Sequence, residues 1–197
     1  IIMGGDVLTG HDPATGKELW RWGTWNPNHR EQWWRLVPSP VVGGGVVLAC
    51  APKNAPVYAA RLGLKGTREG KDGLAWESSA HRQITTDVPT PLFYDGKFYV
   101  LSDLKKAMTR VDPKTGEVEW SISMPGKYKW RASPTAADGK IYTMNHNGEV
   151  VVVAAKDGSI LNVAKMGETY DDNTRASVVL TDGQLFIRTN ELLYCVE

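Results

Sequence analysis

The sequence predicts an all-β protein, a β-propeller of four-stranded antiparallel blades, and three observations carry that prediction. A short pattern recurs at near-constant spacing: Pro38 to Gly45 (PSPVVGGG), Pro89 to Gly96 (PTPLFYDG), Ala132 to Gly139 (ASPTAADG) and Ala176 to Gly183 (ASVVLTDG). Their closing glycines lie 51, 43 and 44 residues apart, the length of one propeller blade. Among the 197 residues are 20 Gly and 8 Trp, which suits many tight turns with large aromatic plugs between them. Helix signals are nearly absent, because apolar runs such as Val150 to Val153 lack a 3.6-residue period and Gly or Pro interrupts the chain too often.

Taken in order, the chain opens inside a blade (residues 1–30), with strand B at Ile1 to Gly4, then C and D up to Trp22, and no strand A. Complete blades are expected at 36–80, 88–124 and 131–166, and a partial one, with strands A to C only, at 175–197. The third blade shows the pattern best: strand A at Thr90 to Tyr94, B at Lys97 to Ser102, C at Ala107 to Asp112 and D at Glu117 to Ile122. Asp95 and Gly96 suit the positive φ angles of a tight hairpin, and Pro113 to Gly116 suits the turn between C and D. The one long interval contains a charged insertion, Arg61 to Gly73, expected to form a surface hairpin or loop.

Strand D carries a tryptophan in three blades: Trp20, Trp76 and Trp120. Two of these end the run Asp-Pro-x-Thr-Gly-x-x-x-Trp, from Asp12 through Gly16 to Trp20 and from Asp112 through Gly116 to Trp120. A strand on the rim of a wedge needs a wide side chain to fill the gap to its neighbour, and a turn glycine lets the backbone pass close beneath the indole. In the fourth blade the run shortens to Ala155 to Gly158, with Val163 near the tryptophan position, so a looser rim is expected there.

These residues resemble the quinoprotein-type (PQQ-repeat) β-propellers, nearest to the non-enzymatic members of the outer-membrane-assembly-lipoprotein kind that belong to the BAM complex. The resemblance spans almost the whole chain. It implies a ring of about eight blades, of which this chain is expected to be the C-terminal portion, and a periplasmic, secreted or outer-membrane-associated location. A closed four-bladed ring is the competing expectation, but it leaves two strands over. Open edges suggest self-association or a missing N-terminal half.

Composition narrows the partners. With 23 Lys+Arg against 22 Asp+Glu, the net charge of +1 predicts no attraction to nucleic acid, and the longest apolar run, Val150 to Ala155, is too short to span a membrane. A protein or peptide partner is therefore expected. In propellers, ligands usually sit on the face that carries the D-to-A and B-to-C connections. The D-to-A links here hold Trp34, Arg35, Trp130, Arg131 and Arg175, our candidate binding residues. Arg131 and Arg175 each precede the strand A serine by two positions and could hold a carboxylate or phosphate, or instead pair with Asp87, Asp171 or Asp172. Trp34 and Trp130 could stack on a ligand or simply plug the space above the loops.

No catalytic residue and no metal site is expected. Members of the family that use PQQ carry two adjacent cysteines and a calcium site, whereas Cys50 and Cys195 are far apart and expected as small buried residues. His146, in a B-to-C turn, is expected to be solvated. The leading expectation is a non-catalytic scaffold without cofactor. The alternatives are part of a PQQ- and Ca²⁺-dependent oxidoreductase, or a carbohydrate-binding propeller.

Overall fold

Four repeated corners set the architecture. Gly44 and Gly45 have φ of 57° and 87°, Asp95 and Gly96 46° and 72°, Asp138 and Gly139 50° and 70°, Asp182 and Gly183 50° and 78°. Two successive positive φ angles make the two-residue turn whose twist matches an antiparallel hairpin. In our computed structural model, which describes residues 1–23, 36–51, 55–167 and 173–197, these corners join the first two strands of four sheets.

The first sheet contains β1 (Ile2–Met3), β2 (Val7–His11) and β3 (Glu18–Gly23). The second contains β4 (Val41–Gly43), β5 (Val46–Cys50), β6 (Val57–Arg61) and β8 (Leu74–Glu77), with β7 (Gly66–Glu69) branching away between the last two. The third runs β9 (Leu92–Tyr94), β10 (Lys97–Ser102), β11 (Ala107–Val111) and β12 (Val118–Ser123). The fourth runs β13 (Thr135–Ala137), β14 (Lys140–Met144), β15 (Glu149–Ala154) and β16 (Ile160–Lys165), and the fifth β17 (Val179–Thr181), β18 (Gln184–Arg188) and β19 (Leu193–Val196). The inner strands β4, β9, β13 and β17 touch one another in chain order, so the sheets fan about a common axis as a partial β-propeller. The described residues include no helix long and apolar enough to cross a membrane.

The central strands of the second, third and fourth sheets are buried on both faces, which is why they read as unbroken apolar runs. Val46, Leu48 and Cys50 of β5 pack with Phe98 and Val100 of the third sheet, while Val47 and Ala49 of the same strand pack with Leu8, Trp20 and Trp22 of the first. The period of two in a strand thus divides its side chains between two neighbours. The same division sends Tyr99 and Leu101 of β10 toward Ile141 and Val151 of the fourth sheet.

The tryptophans fasten one blade to the next. Trp76 Nε1 donates to the Pro113 carbonyl at 2.8 Å, and Trp120 Nε1 to the Ala155 carbonyl at 3.3 Å, in each case reaching the C-to-D turn of the following sheet. That turn is one repeated object: the Gly16 N–H donates to Asp12 O at 2.8 Å, Gly116 to Asp112 O at 2.9 Å and Gly158 to Ala154 O at 3.0 Å. Asp12 and Asp112 also accept from the N–H two residues on, at 2.8 and 2.9 Å, the local bond for which Asp is favoured in turns.

The insertion departs from expectation. Its β7 pairs with β3 in parallel, Trp20 opposite Gly66 and Gly23 opposite Glu69, so it extends the first sheet instead of folding back on itself. Trp22 Nε1 donates to Gly70 O at 3.0 Å and holds the segment there. The fourth blade's rim is open: Ile160, Leu161 and Val163 of β16 are 43%, 52% and 48% exposed. Cys195, expected to be buried, is exposed, because among the described residues no strand lies beyond β19 in the last sheet.

Candidate functional site

Ser and Thr residues at or just ahead of the inner strands β4, β9 and β13 build the frame of the site. The Ser39 N–H donates to Thr90 Oγ1 at 3.0 Å, the Thr90 N–H to Ser133 Oγ at 3.0 Å, and Thr135 Oγ1 to Val178 O at 2.9 Å. This staircase of hydroxyls fixes the links that carry the candidate side chains.

On those links, an arc of polar groups crosses three blades. Asp103, just after β10, is buried, and its Oδ1 accepts the Asp87 N–H at 3.1 Å. Burial pushes its carboxyl above the usual carboxylate range, and the Asp87 charge adds to this, against the opposing pull of the Asp87 N–H and of Arg131. Its other oxygen lies 3.9 Å from Arg131 Nε, a loose ion pair without hydrogen-bond geometry. Arg131 therefore faces Asp103, which sequence reasoning missed altogether; of the anticipated partners Asp87, Asp171 and Asp172, the last two lie outside the described residues. The signal that could have found Asp103 is its place in a B-to-C turn, on the face already singled out.

His146 is the second correction. It is 9% exposed where solvation was expected, because two D-to-A links close over its turn: the His146 N–H donates to Lys129 O at 2.9 Å and the Thr174 N–H to His146 O at 3.1 Å. Burial, followed by the charges of Arg131, Arg175 and Lys129, holds the imidazole below its ordinary pKa, so it is neutral at pH 7. Thr174, not anticipated either, is also buried.

Arg175 is exposed and donates from Nη2 to Asn173 Oδ1 at 3.3 Å. Arg82, Lys105, Lys127 and Lys129 are exposed on the same connections, and with Arg175 they make no ion pair among the described residues. Among the described residues, these connections thus carry more exposed cations than exposed carboxylates. A cleft of about 400 Å³ opens beside them, lined by Pro56, Ser78, Arg82, Thr85 and Lys105 among others.

Trp130 is fully buried among Tyr99, Met108 and Met124, so of its two anticipated roles it fills the plug, and a stacking platform is excluded by its lack of exposure. Trp34 and Arg35 lie outside the described residues, as do Asp171 and Asp172. No group of three His, Cys, Asp or Glu side chains among the described residues is placed to hold a metal, and Cys50 and Cys195 are both free.

A family model described as outer membrane protein assembly factor BamB matches residues 3–197. Among solved structures, BamB from Moraxella catarrhalis is similar with 14% identity and a TM-score of 0.64, over 92% of this chain and 48% of that one. Quinohemoprotein alcohol dehydrogenase from Comamonas testosteroni is similar with 14% identity and a TM-score of 0.59, over 79% of this chain and 29% of that one. The computationally designed Ika4 protein is similar with 11% identity and a TM-score of 0.63, over 92% of this chain and 98% of that one. The chain thus spans about half the length of the BamB structure, and at these identities the likeness concerns the fold alone. No curated protein matches the chain.

Proposed function

Because the chain belongs to the family of outer membrane protein assembly factor BamB, we propose that it serves as part of a non-catalytic scaffold of the cell envelope, engaging a protein partner through the face of the D-to-A and B-to-C connections. The observation that carries this reading is the run of exposed cations on that face, without an ion pair among the described residues and set on links that the Ser/Thr staircase and buried polar bonds hold in place. Rigid links with exposed charge suit recognition, since little conformational freedom is lost when a partner docks.

The experiment is a pairwise binding measurement with purified components of an outer-membrane protein assembly machinery. Saturable binding that weakens in Lys127→Glu and Lys129→Glu is expected. Absence of binding to every component would overturn the reading.

A second reading, part of a PQQ- and Ca²⁺-dependent oxidoreductase, draws on the structural likeness to the Comamonas enzyme. A stoichiometric absorbance change on adding PQQ and Ca²⁺ would favour it over the scaffold.

A further inference from the structure

The cleft that Arg82 and Lys105 share, about 400 Å³ in volume, is built from three connections: the B-to-C turn and the D-to-A link of the second blade, and the B-to-C turn of the third. Buried hydroxyls tie the first two together. Ser78 Oγ accepts the Val57 N–H at 2.9 Å and donates to Ile84 O at 2.7 Å, and Thr85 Oγ1 donates to Ala55 O at 3.2 Å. Along the link, the His81 N–H donates to Ser78 O at 2.9 Å and the Ile84 N–H to His81 O at 2.8 Å, with Arg82 inside the second of these turns. The walls are thus set before any ligand arrives, which lowers the cost of binding one.

The same bonds engage the hydroxyls of the lining. Ser79 is engaged as well, since its N–H donates to Glu77 Oε2 at 2.8 Å and its hydroxyl to the same oxygen. What remains unspent is positive charge. Arg82, from the second blade, and Lys105, from the third, are exposed, and their side chains have neither a hydrogen bond nor an ion pair among the described residues. No carboxylate stands with them among the described lining residues. A cleft lined by one sign of charge concentrates its field on an incoming ion of the other sign.

Volume and lining select the kind of anion. The cleft falls within the range of ligand sites, about 300–1,000 Å³, far more than an inorganic phosphate would fill. Half-buried Ala55 and Pro56 also give it an apolar wall, which a bare ion would leave unused. We propose that this cleft receives a glutamate side chain of a protein partner, with its carboxylate held by Arg82 and Lys105 and its methylene stem against Pro56. A guanidinium and an ammonium are the donors that make the strong, charge-assisted bonds to a carboxylate. The proposal rests on the scaffold reading and names the chemistry of one point of contact with the partner.

A ¹⁵N NMR titration of the full chain with the blocked peptide acetyl-Ala-Leu-Glu-Leu-Ala-amide tests it, beside the same peptide with Gln for Glu, glutarate and inorganic phosphate. Saturable shifts are expected at the amides of Ser79, Arg82, Thr85 and Lys105. Affinity should fall about tenfold for the Gln peptide, and about tenfold in Arg82→Gln and in Lys105→Gln, the scale for losing a hydrogen bond to a charged group. Both positions are exposed, so the rest of the spectrum should be unchanged in these variants, and Lys105→Arg should restore binding. Absence of saturable shifts at these amides would overturn the proposal, as would equal affinity for the Gln peptide, or glutarate or phosphate binding here as tightly as the peptide. If assembly components bind the Arg82→Glu, Lys105→Glu double variant as well as the unaltered chain, and bind Lys127→Glu and Lys129→Glu less well, the cleft falls and the scaffold stands. If the peptide binds as expected and no assembly component does, the scaffold reading falls and the cleft remains a site for acidic peptide.

Discussion

Gly16 and Gly116 occupy the same position of the same C-to-D turn, with φ of 71° and 75°, yet they differ in what lies above them. A Cβ at Gly16 meets nothing within 4 Å, whereas at Gly116 it would stand 2.6, 2.8 and 2.9 Å from three ring atoms of Trp76. Gly16→Ala therefore carries only the backbone cost, about 1–2 kcal/mol for an L-residue in the left-handed region, partly offset by the smaller entropy of the unfolded chain, for a net of about 1 kcal/mol. Gly116→Ala adds overpacking against a buried indole whose position is fixed by its hydrogen bond to Pro113. Overpacking typically costs about 1–3 kcal/mol, so the total is about 2–4 kcal/mol. Gly158→Ala should fall between them, since its Cβ would lie 2.9 Å from Ile122 and 3.0 Å from Trp120. Urea midpoints of the three variants, read by tryptophan fluorescence and by far-ultraviolet circular dichroism, give the ranking. Equal losses at Gly16 and Gly116 would refute the idea that the turn glycine exists to seat the neighbouring blade's indole.

Three further outcomes follow from the same structure. A thiol reagent should titrate Cys195 alone in the folded protein and both cysteines after unfolding, because Cys50 is enclosed and burial pushes its thiol pKa up; two fast-reacting thiols in the native state would contradict the packing of β5. The Lys97 ammonium, helped by the Lys114 and Thr115 N–H groups, holds the Asp112 carboxyl down at about 2. Since an unfolded aspartate titrates near about 3.9, the unfolded chain alone takes up this proton in between, so the contribution is complete above about pH 4 and lost as pH falls toward about 2. Asp112→Asn should flatten the pH dependence of the urea midpoint in that window, and an unchanged slope would count against the pair. Finally, Trp22→Phe removes the indole bond to Gly70, at a net cost of about 1 kcal/mol, and should speed tryptic cleavage at Lys65, Arg68 and Lys71 without speeding it elsewhere. Uniform acceleration would mean that the first sheet's core had been lost instead.

What the sequence revealed depended on how local the cause was. The Asp-Gly corners were legible because only residues tolerant of positive φ fit them, and strand β10 falls at Lys97–Ser102 as the pattern required. The indole positions were legible because the wedge demands width at regular intervals. The insertion was not, since Gly66–Glu69 has no alternation of apolar residues and its pairing with β3 is set by contacts far along the chain. In the site, Arg131 could be placed on its link by counting from Ser133, but its partner Asp103 could not, because the burial of a carboxylate is decided by neighbouring blades. His146 was misjudged for the same reason: a lone histidine in a turn looks wet until the links of two other blades are laid over it. A total charge of +1 likewise hid the uneven distribution of cations.

Because adjacent residues of β5 and β10 serve opposite interfaces, no blade owns a private interior. A melted blade would strip the lining from both neighbours at once, so losses should spread along the array as a front instead of staying confined. Amide exchange should accordingly be slowest in the third blade, whose two flanks are both covered, and quickest in the fifth, which is cushioned on one side. The molecule behaves less like a row of separate modules than like a stack of cards under compression, in which stiffness at the centre is lent by whatever presses from the ends.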